Sequence, residues 1–169
     1  MIRSRRIIVP DQCYFITSAT HKRRPIFSDR RLAKIIVDQW KHYEEAFAFK
    51  LDAYCVLHDH YHTVLGIGNL KTISQVLHAV HSYTATLVNN QLGFEKKRKV
   101  WEGNPWDVVI RDEEMYWQKV AYTLFNPWRA GEVHDPLEPF EFSNIDEWRT
   151  REGDEFLIEL FSKYKRWFE

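Results

Sequence analysis

Apolar positions along the chain follow two periods, and each change of period marks a new element. Cys13-Tyr-Phe-Ile-Thr-Ser-Ala-Thr20 is rich in aromatic and β-branched residues and predicts a strand. Lys22-Arg-Arg-Pro25 interrupts it, and Ser28 or Asp29 can cap a helix. Leu32, Ile36, Trp40, Tyr43 and Phe47 then recur every three or four residues, forming one apolar stripe of that helix. Leu51 to Leu57 and Tyr61 to Ile67 read as strands joined by a tight hairpin at His58-Asp59. Ile73, Val76, Leu77, Val80, Leu87 and Val88 keep the helical period from Leu70 to Gln91. A charged loop from Gly93 to Lys99 precedes a short strand at Trp106 to Ile110. Asp112 opens a third helix, with Glu113 and Glu114 in the first turn, where the helix dipole favours them, and Pro127 is expected to end it. Beyond it, Phe156, Leu157, Leu160, Phe161, Tyr164 and Trp167 predict a final amphipathic helix packed on the domain.

The order β-α-β-β-α-β-α predicts an α+β, ferredoxin-like split βαβ fold. It has a central antiparallel sheet, helices on one face and a C-terminal helical extension. With no internal repeat or low-complexity linker, a single domain is expected over residues 1–169. Its core runs over about 12–133, between a basic N-terminal arm (1–10) and an acidic extension (134–169).

Composition sharpens this picture at two points. The chain has 24 Lys+Arg against 24 Asp+Glu, but residues 1–100 carry a net +8 and residues 101–169 a net −8. Zero total charge therefore does not exclude a polyanionic partner that touches one face. The basic half holds Arg3, Arg5, Arg6, Lys22, Arg23, Arg24, Arg30, Arg31 and Lys34, then Lys96-Lys97-Arg98-Lys99 close to Trp101. Basic loops beside aromatic rings suit a nucleic-acid backbone with exposed bases. Arg3, Arg5, Arg6, Arg23, Arg24, Lys97, Arg98 and Trp101 are the candidate nucleic-acid-contacting residues. Cys13 and Cys55 lack C-x-x-C spacing and fit buried thiols in a reducing compartment. No stretch approaches the roughly 20 apolar residues of a membrane span. The expectation is a soluble, cytoplasmic protein with no membrane partner.

The sharpest chemical signal is Leu57-His-Asp-His-Tyr-His-Thr-Val-Leu65. On a strand, His60 and His62 project together while Tyr61 points away. Two adjacent imidazoles can share a metal, although such pairs also serve as ordinary hydrogen-bonded residues. His58, in the turn, leaves that face. On the third helix Gln118, Tyr122 and Asn126 are spaced by four and form one polar stripe. His78 and His81 lie one turn apart on the second helix and read as a solvated face.

Taken together, Tyr54-Cys-Val-Leu-His-Asp-His-Tyr-His-Thr-Val-Leu65, Trp101, Asp107-Val-Val-Ile-Arg-Asp-Glu113 and Tyr122-x-x-x-Asn126-Pro127 with Arg129-Ala-Gly131 resemble a known family. They are similar to the single-tyrosine HUH transposases, in particular the REP-associated tyrosine transposases related to insertion-sequence transposases. That resemblance implies His60, His62 and Asn126 as ligands of Mg²⁺ or Mn²⁺, and Tyr122 as nucleophile. Imidazoles suit Mn²⁺ better, while abundance favours Mg²⁺. The implied reaction is metal-dependent single-strand DNA cleavage and strand transfer through a covalent 5′-phosphotyrosine, at DNA near a hairpin, by a monomer or homodimer. A phenol, with an ordinary pKa of about 10, needs activation for such an attack. This chain departs from the family in having His58-Asp59 where Pro-Asn is usual, and the short Asn126 where insertion-sequence relatives carry Gln. Two other functions share the motif set: a phosphodiesterase in which water attacks, and a non-catalytic protein that binds DNA hairpins. The acidic extension is expected to limit non-specific DNA binding or to cover the site.

Overall fold

Side-chain caps set where the helices begin in the computed structural model, which describes residues 12–168. Helix α1 (Arg30–Ala46) starts at Asp29, whose carboxylate accepts from the Arg31 amide. Helix α2 (Ile73–Leu92) has a reciprocal cap in which Thr72 and Gln75 satisfy each other's backbone amides. It stops at Gly93, whose φ of 66° costs a residue without a Cβ little. Helix α3 (Glu113–Arg129) is capped by Asp112 and runs through Pro127 rather than ending there. The proline removes one amide near the C-terminus, where few bonds remain to lose. The last turn closes through Ala130, Gly131 and Glu132, whose amides donate to the Asn126, Trp128 and Pro127 carbonyls.

The strands are β1 (Cys13–Ala19), β2 (Lys50–Val56), β3 (His60–Gly66) and β4 (Trp106–Val109). They form one antiparallel sheet in the order β2-β3-β1-β4, as expected of a split βαβ unit. Alternation divides its two faces. Ile16, Tyr54, Val56, Tyr61 and Leu65 bury against α1 and α2 with Trp40 and Val80. Phe15, Ala53 and Val64 bury on the opposite side against α3, with Val120, Leu124 and Phe125. The two helices between the strands therefore share one face, and α3 covers the other.

The C-terminal extension is part of this second core rather than an addition to it. It forms α4 (Ile145–Glu152), which the sequence did not suggest, and α5 (Asp154–Tyr164). Ile145, Trp148, Leu157, Leu160, Tyr164 and Phe168 are all buried with α3, whereas Trp167 is exposed. The extension also binds the outer edge of β2. Val56 donates to the Phe142 carbonyl at 2.8 Å, Tyr54 donates to the Asn144 side chain at 2.9 Å, and Trp148 Nε1 donates to the Asp52 carbonyl at 2.9 Å. A cover that lifts off would leave these groups and this apolar area in water, so the expectation of a removable acidic cover is corrected. At the other sheet edge, β4 pairs with β1 and with no further strand among the described residues.

Candidate active site

Strand register assembles the site. His62 stands opposite Thr17 on β1, and Thr17 stands opposite Trp106 on β4, so the three form one row across the sheet on the α3 face. His60 lies two residues from His62 on the same face, with ring centroids 4.9 Å apart. Helix α3 brings the Tyr122 ring to 5.1 Å from the His62 ring. Phe15 stacks on His62 at 5.7 Å and meets Tyr122 edge-on at 5.9 Å, so it is the floor on which both rings rest. Between these groups lies an open cavity of about 540 Å³, lined also by Thr17, Arg23, Trp106, Lys119 and Arg129.

Both histidines have one ring nitrogen engaged and one available. His60 Nδ1 bonds the Asp59 carboxylate at 2.6 Å, and His62 Nδ1 bonds the Thr17 hydroxyl at 2.9 Å. His62 Nε2 is buried and has no partner among the described residues. Burial, then the charges of His60, Arg129, Arg23 and Lys119, push the His62 pKa down to about 3, so the imidazole is neutral at physiological pH. A neutral imidazole oriented through its other nitrogen is the form that binds metals. Among the described residues no cluster of three His, Cys, Asp or Glu side chains forms, so a cation here would need a further ligand. Asn126 is 3% exposed and does not line the cavity, but its Nδ2 also lacks a partner. Turning the amide over would put its oxygen there. His60 and His62 thus offer two imidazole donors of the kind a divalent cation takes, while Asn126 stands outside the cavity lining. His58 does not join them: its Nε2 pairs with Glu132 at 3.1 Å.

Three cations surround the cavity. Arg129 donates to the Tyr122 hydroxyl at 3.0 Å while its Nε donates to the Phe168 carbonyl at 2.8 Å. Lys119 lies 4.7 Å over the Phe15 ring, and burial lowers its amine below the usual range. Arg23 reaches the cavity beside Asp59, 3.6 Å away, from a turn in which Lys22 and Arg23 both adopt left-handed backbone conformations. Such conformations cost a non-glycine residue roughly 1–2 kcal/mol. Two tertiary bonds hold the turn: the Lys22 amide donates to Glu102, and the His21 amide donates to the Val100 carbonyl.

The candidate DNA residues fare unequally. Arg23 joins the site. Arg24 is spent on the carbonyls of His21 and Lys99. Arg98 packs over the Phe94 ring at 3.8 Å and its backbone is tied to Asn89, while Lys97 is exposed. Trp101 is not an open stacking platform; it is 7% exposed, stacked on His81 at 4.1 Å with Nε1 bonded to the His81 carbonyl. Arg3, Arg5 and Arg6 lie outside the described residues. His81, expected on a solvated face, is buried. Sequence reasoning missed Phe15, Thr17, Trp106, Lys119 and Arg129 as members of the site. Lys119 and Arg129 carried a signal, lying one turn before and two turns after Tyr122 on the same helix. Both belong to the acidic half of the chain, so two of the three site cations come from the half expected not to meet DNA.

The family described as "Transposase IS200 like" matches residues 9–108, a stretch that carries His60 and His62 and stops before Tyr122. Among solved structures, the chain is similar to the REP-associated tyrosine transposase bound to a REP hairpin, at 18% identity and a TM-score of 0.67. That alignment covers 90% of this chain and 87% of that one. A candidate transposase from Deinococcus radiodurans R1 is also similar, at 18% identity and a TM-score of 0.52. It covers 69% of this chain and 91% of the other. At these identities the likeness is one of fold. No curated protein matches. No helix among the described residues is long and apolar enough to cross a membrane.

Proposed function

Since this chain belongs to the IS200-like transposase family, we propose that it is a single-strand DNA endonuclease and strand transferase with Tyr122 as nucleophile. The observation that carries this reading is the contact between the Tyr122 ring and His62, a buried imidazole whose Nε2 has no partner among the described residues. In the reaction, the Tyr122 hydroxyl oxygen bonds to phosphorus and its proton passes to solvent. The P–O3′ bond breaks and the departing O3′ takes a proton from solvent, leaving a free 3′-hydroxyl and a 5′-phosphotyrosine. Because the phosphodiester energy is kept in that link, a 3′-hydroxyl can reverse the step without ATP.

The chain's own residues orient and polarise this step. Arg129 donates to the Tyr122 oxygen and fixes its position beside the cavity. Arg23 and Lys119 supply positive charge for the phosphate oxygens. A Mn²⁺ or Mg²⁺ ion bound by His60 and His62, with Asn126 as the candidate third ligand, would supply further neutralisation of the phosphate oxygens. The similarity in fold to a transposase bound to a REP hairpin supports hairpin-forming repeat DNA as the partner class.

The test is a denaturing gel of the full chain incubated with a 3′-labelled single strand carrying a hairpin, in Mn²⁺ or Mg²⁺. A protein-linked labelled band is expected from the native chain and none from Tyr122→Phe. Cleaved strand with no linked band would transfer the role of nucleophile to water. Hairpin binding without any cleavage would leave a binding protein.

A further inference from the structure

We infer that Trp106 is the platform on which the protein stacks an unpaired base next to the phosphate held in the His60–His62–Tyr122 cavity. This rests on the single-strand DNA reading above and names a residue that selects the substrate. Trp106 is 61% exposed, the most exposed large hydrophobic side chain among the described residues, yet it lines that cavity. An indole left in water forgoes a large burial gain, and here it stands beside a site rather than at a random surface position.

Three observations favour a nucleobase as its occupant. First, the His62–Thr17–Trp106 row spans two strand spacings, so Trp106 sits roughly 10 Å from His62 across the sheet. That is within reach of the sugar and base of a nucleotide whose phosphate lies against the histidines. Second, Phe15 meets the Trp106 ring edge-on at 6.4 Å with an interplanar angle of 88°. Phe15 is itself buried under His62 and Tyr122, so the indole is braced by the same ring that supports the catalytic groups. Third, Arg23, Lys119 and Arg129 surround the cavity with positive charge, which matches a phosphate backbone and not an apolar partner. Trp106 begins β4, a sheet edge that pairs with no further strand among the described residues, whereas the β2 edge is bonded by residues 142–144.

Stacking is tolerant of base identity but requires a base free of its pairing partner. Trp106 therefore selects single strand over duplex beside the cleaved bond, without reading sequence. The rings suggested by the sequence and by the structure differ in this respect: Trp101 has both faces in the core, and Trp106 has its surface in water.

The experiment measures fluorescence anisotropy of the full chain with labelled oligothymidylate and with an abasic backbone of equal length. The native chain is expected to prefer oligothymidylate by roughly tenfold. Trp106→Ala should remove that preference by weakening oligothymidylate alone, and Trp106→Phe should retain most of it. The salt dependence of binding should not change, since the phosphate contacts stay. Equal loss on both ligands, or no loss on either, overturns the inference. So does a homodimer of the native chain that Trp106→Ala dissociates while the preference persists, because the occupant would then be a second copy. A native chain that binds neither ligand overturns the DNA reading itself. A native chain that forms the covalent adduct while Trp106→Ala is indifferent overturns only the role of Trp106.

Discussion

His62 and His81 are buried on opposite faces of one sheet, and burial pushes both down to about 3. Their surroundings differ in what each ring has left to offer. On the α1–α2 face His81 Nε2 shares a 2.8 Å hydrogen bond with the Tyr61 hydroxyl, and its ring stacks on Trp101. On the α3 face His62 stacks on Phe15 but keeps a buried Nε2 with no partner among the described residues. An unmet buried polar atom costs about 1–3 kcal/mol. His81 has resolved that cost and His62 retains it, beside a tyrosine and the cations Arg23, Lys119 and Arg129. Burial and a lowered pKa are common to both histidines; an unused lone pair facing a cavity is what distinguishes a site from a core.

This contrast can be broken by experiment. The largest effect expected is in His62→Ala: adduct formation should fall by about a thousandfold, since metal-assisted charge neutralisation supplies several kcal/mol to such reactions. Its melting temperature should fall by no more than a few degrees, because the lost packing and the Thr17 bond are offset in part by removal of an unsatisfied atom. A melting temperature well below that of the native chain would erase the distinction. The mirror case is Trp101→Ala on the closed face, where deletion of a core indole should cost about 3–5 kcal/mol in urea unfolding. The affinity of the folded fraction for single-stranded DNA should be unchanged. A specific loss of affinity would return Trp101 to the binding surface.

The smallest effect concerns pH. Both folded-state values lie below the ordinary histidine value of 6.5, so the unfolded chain binds more protons between about 6.5 and 3. Stability from these groups is present above 6.5 and is lost as pH falls through that window. On the order of 1 kcal/mol should be lost for His81 between pH 7 and pH 5, read as a falling melting temperature. His81→Gln should flatten the slope. An equally steep slope in that variant would assign the acid sensitivity to other groups.

The parts of the site readable in the sequence are those fixed by local period. His60 and His62 share a face because strands repeat every two residues. The helical period pairs Tyr122 with Asn126, but only Tyr122 lines the cavity, and Asn126 is buried outside its lining. The stripe from Leu32 to Tyr43 announced α1 for the same reason. What escaped depends on register and on contacts between distant segments. Thr17 bonds His62 only because β1 and β3 pair where they do. Trp106 joins the site only through the β1–β4 register. Trp101 looked like a ring beside a basic run, but its bridge to Thr20 turns it into the core. The charge split between halves of the chain misled for the same reason: helix α3 carries Lys119 and Arg129 from the acidic half to the cavity.

The cavity draws its walls from β1, β3, β4 and α3, elements separated by up to a hundred residues of chain. On the ribosome these arrive in sequence. His62 is made sixty residues before Tyr122, an interval of about 3–12 s at ordinary rates of synthesis. Throughout it, a nascent chain has the residues of the histidine pair and Thr17 but not Tyr122. The residues of the proposed chemistry are thus separated in time by the order of the gene, and they meet only once α3 has docked.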